Sequence, residues 1–337
     1  MNKNKSFFIY PAPANKFGFG HISRCLVLAE ELKNYFNVYF VLDNNVKIKN
    51  LLKKKYKSFL FNKKNINKIS LYKEKIVFII DHPEINLNKM KLLNQLSHKT
   101  FFFETEDNLT KKYFADYLLN HNINPVEKKN FFNKKKSKVL HGTKFTLIKR
   151  NILKLKKKKK KNIKQIIVNF GGLDKKNLTL KFVNSLQKLD KQCSEYKIIL
   201  VLGPGFKFIK IIKEKVIKLK KIKNIILLKN PNNFYKYLAD SSFAIVATGH
   251  ICYELACLGI PGGILPASSN QKRVYYELAK KNFFFPLGLD FQNLKTFFEI
   301  YLKKLTNSKN YTYQSRKLSK LIDGKGSNRI LKILQKI

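Results

Sequence analysis

Short runs of apolar residues alternate with amphipathic segments along most of this chain. The apolar runs predict buried strands, which we place at residues 6–10, 38–42, 76–80, 100–103, 117–119, 165–170, 197–202, 224–228, 243–247 and 263–265. Apolar positions at helical spacing predict helices at residues 22–36, 89–96, 179–188, 207–219, 232–239 and 251–258. Such regular alternation is typical of α/β proteins with parallel sheets.

The strands and helices fall into two series, separated by the almost pure lysine run Lys154–Lys161. A run of like charges favours a solvated linker over a packed element. We therefore expect a Rossmann-like domain over residues 1–150, a linker over 151–162, a second Rossmann-like domain over 163–310 and a helical segment over 311–337. The two domains are expected to face a cleft, because such sheets bind ligands at the carboxyl ends of their strands.

The first candidate site lies where the strand at 6–10 leads into the helix at 22–36. Gly18 and Gly20 precede His21 there, and a glycine-rich turn lets the backbone come close to a ligand. The helix start offers free N–H groups to an anion, and its positive dipole end disfavours an imidazolium. We expect His21 to be neutral at about pH 7 and able to accept a proton, although a histidine at a helix start is also a common cap.

The second candidate site follows three strands of the second series. Its residues are Gly171, Gly172, Thr248, Gly249, His250, Asn270 and Gln271. Two of these turns open helices, so their N–H groups are expected to hold a phosphate. Glu254 lies one turn into the second of those helices, where a carboxylate can accept both ribose hydroxyls of a nucleotide. Any one of these turns alone is an ordinary tight turn, but together they predict a nucleotide site.

The net charge of the chain is extreme, at +48, with 69 lysines and arginines against 21 acidic residues. Arginine supplies most bidentate recognition of bases and phosphates, yet only five of the basic residues are arginines. The lysines are spread over the whole chain. We therefore expect salt-sensitive adhesion to polyanions but no specific nucleic-acid partner.

The compartment and the cofactors are also constrained. Four cysteines without a CxxC pair favour reduced thiols in the cytoplasm. Pro11 and Pro13 interrupt the first apolar run, so no signal peptide is expected, and polar residues in 243–267 disfavour a membrane span. Glu104 and Glu106 could bind a cation, but no Asp-x-Asp pair is present. We expect a site without metal or cofactor.

Several motifs recur together in the order of a known family. They are Gly18-x-Gly20-His21-x-x-Arg24, Ile80-Asp81-His82, Asp116-Tyr117-Leu118-Leu119-Asn120, Leu140-x-Gly142, Leu147-x-x-Arg150, Phe170-Gly171-Gly172-x-Asp174-x-x-Asn177, Tyr253-Glu254-Leu255-Ala256, Asn270-Gln271 and Asp323-Gly324-x-Gly326. Over nearly its whole length the chain resembles the UDP-sugar hydrolases of the pseudaminic acid pathway. Those enzymes release UDP from UDP-2,4-diacetamido-2,4,6-trideoxy-β-L-altrose, have the GT-B fold and are similar to the transferase that makes lipid II.

The resemblance implies roles for particular residues. His21 is the implied catalytic base, and we further expect Asp81 to orient His21 or a group of the sugar. Gly18, Gly20 and Arg24 are expected to contact the substrate. Glu254 and the nearby loops would hold UDP. The implied partner is thus a UDP-sugar, and the implied reaction is attack of water on the anomeric carbon.

The chain also departs from the family pattern. Residues 10–14 replace an Arg-x-Asp-x-Ser run, Pro83 replaces the tyrosine of an Asp-His-Tyr motif, and His250 replaces the serine of a Gly-Gly-Ser turn. His82 is a second candidate for catalysis, or else orients Asp81 or faces solvent. Two other functions fit the same pattern: a glycosyltransferase acting on a lipid or glycan acceptor, with Phe17 and Phe19 as a lipid-facing patch, and a noncatalytic sugar-nucleotide-binding protein.

Overall fold

The computed structural model describes residues 4–43, 52, 55–104, 112–125, 137–156, 164–189, 193–219 and 224–337. The chain divides into two compact units, one built from residues 1–148 and 324–337 and the other from residues 149–323. Within the described residues, each unit contains one sheet, and all of its strand pairs are parallel. The predicted α/β class is therefore confirmed, with two Rossmann-like domains.

The sheet of the first domain has seven strands in the order β3-β2-β1-β4-β5-β6-β7. The elements are β1 (Lys5–Pro11), α1 (Ala14–Phe17), α2 (Gly20–Leu32), β2 (Asn37–Leu42), β3 (Lys57–Leu60), α3 (Lys63–Ser70), β4 (Lys75–Asp81), α4 (Leu87–Leu96), β5 (Lys99–Phe103), β6 (Tyr117–Asn120) and β7 (Lys138–His141). The edge strands β3 and β7 are not predicted from the sequence, because they are partly exposed and lack a continuous apolar run.

The sheet of the second domain has six strands in the order β10-β9-β8-β11-β12-β13. The elements are α5 (Arg150–Leu155), β8 (Gln165–Asn169), α6 (Leu178–Gln187), β9 (Lys197–Leu202), α7 (Ile209–Lys218), β10 (Ile225–Lys229), α8 (Phe234–Asp240), β11 (Phe243–Ala247), α9 (His250–Leu258), β12 (Gly262–Leu265), α10 (Lys272–Lys280), β13 (Phe285–Pro286), α11 (Leu294–Thr296), a π-helical segment (Phe297–Leu302), α12 (Lys303–Thr306) and α13 (Ser308–Leu321).

Strand β1 shows why the apolar runs become central strands. Phe7, Phe8, Ile9 and Tyr10 are all fully buried. Because successive side chains point to opposite faces, Phe7 and Ile9 join one core cluster and Phe8 and Tyr10 join another. A strand covered on both faces needs apolar residues at every position, which is the pattern of the sequence.

The strand order places a candidate site in each domain. Strand β1 lies between β2 and β4, and strand β8 lies between β9 and β11. The direction of chain progression across each sheet therefore reverses at these two positions. Such switch points open a crevice at the carboxyl ends of the two strands, where ligands of open α/β sheets bind.

The last residues of the chain do not form one segment. Helix α13 belongs to the second domain, but α14 (Gly326–Gln335) belongs to the first. Ile330, Leu331 and Leu334 of α14 join the same apolar cluster as Phe7 and Ile9. The expected helical segment 311–337 is thus divided, because these apolar side chains complete the core of the first domain.

The expected linker at 151–162 begins within a helix. Residues 150–155 form α5, and Ile152 on that helix is fully buried. Residues 157–163, which include the rest of the lysine run, lie outside the described residues. Among the residues that the structure describes, every helix is too short or too polar to span a bilayer.

Candidate active-site residues

A buried ion pair lies at the carboxyl end of β4 in the first domain. Asp81 ends that strand and has no exposed surface, and Arg24 on α2 is 7% exposed. Arg24 donates from Nε to Oδ2 and from Nη2 to Oδ1 of Asp81, both at 2.5 Å. This is the two-pronged geometry in which a guanidinium binds a carboxylate most strongly. Sequence reasoning placed Arg24 among the substrate contacts and missed this bond, because its partner is 57 residues away.

His21 joins this ion pair from one turn earlier on α2. Its Nδ1 lies 2.8 Å from Oδ1 of Asp81 and 2.8 Å from Nη2 of Arg24. Residues three apart on a helix share a face, so His21 and Arg24 both reach the carboxylate. When Nδ1 carries the proton and donates it to Asp81, Nε2 is left as the proton acceptor. Asp81 can therefore hold the histidine in the orientation that a general base needs.

The buried charges of this cluster shift the pKa values of Asp81 and Cys25 in opposite directions. Burial opposes ionisation of Asp81, but Arg24 and His21 together hold the pKa of the carboxyl well below its usual range. Cys25 lies against the same carboxylate, with Sγ 3.6 Å from Oδ2. Burial and the Asp81 charge raise the pKa of the Cys25 thiol, so this cysteine stays protonated and inert.

A second histidine–carboxylate pair lies beside the first. His82 is buried, and its Nε2 lies 3.1 Å from Oδ2 of Asp43, whose Oδ1 accepts a 2.7 Å hydrogen bond from Tyr10. His82 thus neither orients Asp81 nor faces solvent, two roles that the sequence left open. Its Nδ1 is buried without a partner among the described residues. Asp43 is a residue that sequence reasoning missed, although its place directly after β2 was a signal.

The glycine turn before α2 borders these pairs. The Phe17 ring lies 5.8 Å from the ring of His21 and 5.9 Å from the ring of His82, edge-on to both. Gly18 has φ of +78°, which favours glycine. A Cβ added at Gly18 or at Gly20 would meet no atom within 4 Å. The turn therefore borders open space, where a ligand can approach the backbone.

The first turn of the second domain differs from the expected phosphate cradle. The N–H of Gly171 donates to the side chain of Asn169 at 3.1 Å. Asp174 accepts 2.8 Å hydrogen bonds from the N–H groups of Leu178 and Thr179. The carboxylate of Asp174 therefore occupies the anion position at the start of α6. Gly171 and Gly172 form the turn that leads to it, and the sequence expectation of a phosphate at this helix start is replaced by an internal cap.

The second turn, Thr248-Gly249-His250, opens α9 without a side-chain cap among the described residues. Thr248 is buried, and its hydroxyl has no hydrogen-bond partner in that part of the chain. An uncapped helix start beside a buried hydroxyl is suited to an anion. Gln271 lies against this turn, because a Cβ on Gly249 would be 3.7 Å from its Nε2.

Asn270 and Gln271 have internal partners as well. The Oε1 of Gln271 accepts a 2.8 Å hydrogen bond from the N–H of Ala267, and Asn270 is hydrogen-bonded to the hydroxyl of Ser268. Asn270 is exposed and Gln271 is partly exposed. Both lie in the 3-10 helical turn Ser269–Gln271 after β12, and Gln271 is placed next to the turn of α9.

Glu254 is 5% exposed on α9 and belongs to a cluster that the sequence did not predict. Its carboxyl is hydrogen-bonded to the hydroxyl of Tyr235, which accepts a 2.6 Å hydrogen bond from Nζ of Lys149. Burial raises the pKa of Glu254 to about 7, against the opposing effects of Lys149 and Tyr235. Lys149 is the second variable residue of the Leu147-x-x-Arg150 motif, but nothing in the sequence marks Tyr235.

The described residues contain no group of three or more His, Cys, Asp or Glu side chains arranged to hold a metal ion. Glu104 is buried, and Glu106 lies outside the described residues.

The two domains define the class: the chain has the GT-B fold of two Rossmann-like domains. It is similar over 99% of its length to the crystal structure of MurG from Acinetobacter baumannii, with a TM-score of 0.66, 12% identity and 99% of that chain covered. It is also similar over 98% of its length to Anabaena HepE in complex with UDP-glucose, with a TM-score of 0.61, 11% identity and 100% of that chain covered.

Sequence comparison finds two informative relatives. The chain is 29% identical over 279 residues to an uncharacterized protein of Methanocaldococcus jannaschii. The aligned region covers 79% of this chain and 56% of that protein. This chain thus spans little more than half of that relative. It is 26% identical over 281 residues to the UDP-2,4-diacetamido-2,4,6-trideoxy-beta-L-altropyranose hydrolase of Campylobacter jejuni, covering 80% of this chain and 94% of that enzyme. No family model matches the chain.

Proposed function

We propose that this chain is an enzyme that hydrolyses a UDP-sugar, with a 2,4-diacetamido-2,4,6-trideoxyhexose as its sugar. The observation that carries the proposal is His21 held by the buried carboxylate of Asp81, at the switch point of a Rossmann-like domain. The similarity to the Campylobacter jejuni hydrolase, which extends over 94% of that enzyme, supports the choice of reaction and sugar. The proposed site needs no metal or cofactor.

In the proposed reaction, His21 acts as general base through Nε2. It takes a proton from water while the water oxygen forms a bond to the anomeric carbon. The bond between that carbon and the β-phosphate oxygen breaks, and its electron pair leaves with UDP. Asp81 accepts the Nδ1–H of His21 and stabilises the imidazolium that forms, while Arg24 keeps Asp81 ionised.

The second domain binds UDP in this proposal. The diphosphate lies at the start of α9, where backbone N–H groups and the Thr248 hydroxyl donate to it. These donors stabilise the charge that moves onto the β-phosphate as the bond breaks. Glu254 accepts hydrogen bonds from the ribose hydroxyls, and Gln271 lies close enough to the turn to contact the phosphates.

A glycosyltransferase is the second candidate function, and the exposed ring of Phe19 beside the glycine turn supports it. In that case an acceptor hydroxyl replaces water, and His21 takes its proton. Phe19, which is 42% exposed beside the glycine turn, would contact the acceptor. The two functions differ only in the nucleophile, so the same residues serve both.

Product analysis distinguishes these functions. The purified chain is incubated with a panel of UDP-sugars in oxygen-18 water, and UDP and sugar are separated by chromatography and weighed by mass spectrometry. We expect full-rate release of UDP in buffer alone, with the label on the sugar and none on UDP. Label on UDP would mean attack at phosphorus and would remove His21 from its role. Release only after addition of a lipid or glycan acceptor would establish the transferase, and binding without turnover would establish a noncatalytic protein.

A further inference from the structure

Three side chains that are distant in sequence form a continuous hydrogen-bonded chain in the second domain. Lys149 directly precedes α5, Tyr235 lies in the first turn of α8, and Glu254 lies within α9. Lys149 Nζ donates to the Tyr235 hydroxyl at 2.6 Å and lies 4.8 Å from the centroid of its ring. The Tyr235 hydroxyl in turn donates to the carboxyl of Glu254. The ammonium group of Lys149 is thus linked to the buried carboxyl of Glu254 through the hydroxyl of Tyr235.

Burying these charged groups costs stability, because both are removed from water. Burial lowers the pKa of Lys149 and raises the pKa of Glu254 to about 7, so both groups lose solvation in the fold. Well-packed apolar side chains in the place of a buried ion pair are often as stabilising or more so. The retained charges are therefore a sign of a role beyond packing.

We propose that Tyr235 and Lys149 are positioning residues for Glu254: Tyr235 fixes the carboxylate, and Lys149 favours its ionised form, which accepts hydrogen bonds from the ribose hydroxyls of a nucleotide. This inference rests on the proposed function, in which Glu254 binds the ribose of UDP. A carboxylate offers about four acceptor positions, and the Tyr235 hydroxyl occupies one of them. In this proposal, the two ribose hydroxyls donate to two of the remaining positions.

The electrostatic surroundings of Glu254 are simple. Within the described part of the chain, the titratable groups that interact with it are Lys149, Tyr235, and Cys252 and Cys257 on its own helix. Burial, with Glu254 contributing, raises the pKa of both thiols, so they stay neutral. Helices α5 and α13 and strand β11 pack against α9 and bring no further titratable group to Glu254 in those residues. Lys149 is therefore the cation that opposes the effect of burial on the pKa of Glu254.

The test is the pH dependence of UDP affinity, measured by titration calorimetry from about pH 6 to pH 9. A phosphate group of UDP ionises at about pH 6. This ionisation affects UDP binding to the wild type and to Glu254→Gln in the same way, because it does not involve Glu254. The ratio of wild-type affinity to Glu254→Gln affinity therefore isolates this carboxyl. We expect the ratio to rise with pH through a midpoint at about 7, because the carboxylate accepts more hydrogen bonds than the acid.

Removing the cation shifts that midpoint upward. In Lys149→Met, a midpoint higher by about one pH unit would lower the ionised fraction at about pH 7 from about one half to about one tenth, and the affinity about five-fold. Lys149→Arg keeps the charge and is expected to retain the wild-type midpoint. Lys154→Met, which removes an exposed lysine from α5, is the matched control.

Removing the bridging hydroxyl affects both orientation and ionisation. Tyr235→Phe is expected to weaken UDP binding about 2- to 10-fold and to raise the midpoint, because Glu254 loses a hydrogen-bond donor. Tyr237→Phe on the same helix is the matched control. Melting temperatures of all variants without UDP report on folding, so that a purely structural loss is separated from a shifted midpoint.

The possible failures are distinguishable. No UDP binding by the wild type would contradict the proposed function. Equal affinity of wild type and Glu254→Gln at every pH would contradict the ribose role of Glu254. Glu254-dependent binding with an unchanged midpoint in both Lys149→Met and Tyr235→Phe would overturn the positioning role alone.

Discussion

Replacement of Arg24 by methionine tests the contribution of the buried Arg24–Asp81 ion pair to the stability of the first domain. Methionine keeps most of the volume of the side chain but removes both donors to Asp81, which bind its two oxygens at 2.5 Å. Asp81 has no exposed surface, so water cannot replace those donors without rearrangement of the fold. Among the described residues, His21 and the weak donor Cys25 then remain hydrogen-bonded to the carboxylate.

The expected cost follows from this geometry. Removal of one partner of a buried ion pair leaves an uncompensated charge and costs about 3–5 kcal/mol. For a domain of this size, that corresponds to a fall in melting temperature of about 6–20 °C. Arg24→Met/Asp81→Asn removes the stranded charge as well, so the double variant is expected to lose less stability than the sum of the two single variants.

The pH dependence of this effect has a definite sign. Because Arg24 and His21 hold the pKa of Asp81 below its unfolded value of about 3.9, the unfolded chain binds more protons in the acid range. The stabilisation by the ion pair is therefore complete above about pH 4 and is lost as the pH falls below that value. The difference between wild type and Arg24→Met is expected to narrow over the same acid range.

Thermal unfolding followed by circular dichroism measures the loss, and hydrogen exchange assigns it to a domain. Protection is expected to fall in α2 and β4 and to remain unchanged in the second domain. Arg316→Met, which removes an exposed arginine from α13, is the control and should change stability by less than about 0.5 kcal/mol. Additive single and double variants, or a loss below about 1 kcal/mol, would refute the reasoning.

Three further predictions concern the candidate sites and the charge. His21→Asn is expected to lower the rate of UDP release by about two to four orders of magnitude with UDP affinity unchanged, whereas His82→Asn should lower that rate less than about tenfold; the opposite ranking in a UDP-release assay would make His82 the base. Gly203→Ala places a Cβ 2.4 Å from the carbonyl oxygen of Gly171, so it is expected to destabilise the second domain by about 1–3 kcal/mol in thermal unfolding, and an unchanged melting temperature would contradict the close packing of that turn. DNA retained on the +48 chain is expected to be released steeply with salt and without sequence preference, and a sequence-selective complex at high salt would contradict this.

The local sequence was sufficient for the elements that carry the sites. Continuous apolar runs such as Phe7–Tyr10 predict strands buried on both faces, and those residues are indeed fully buried in an interior strand of the first sheet. The glycines before His21 and the turn at Thr248 predict the starts of α2 and α9, because glycine and helix periodicity act over a few neighbouring residues. These features depend on the chain within one or two turns, so one sequence can reveal them.

The partners of the site residues were decided by the tertiary structure. Arg24 meets Asp81 across 57 residues, and Lys149 meets Tyr235 across 86, because parallel strands and the helices that connect them bring distant chain segments together. No local sequence pattern determines the order of the strands in a sheet. Helix α14 likewise completes the core of the first domain although the second domain precedes it in the chain. The apolar pattern establishes that such a helix must be covered, but only the packing of the whole chain determines which core covers it.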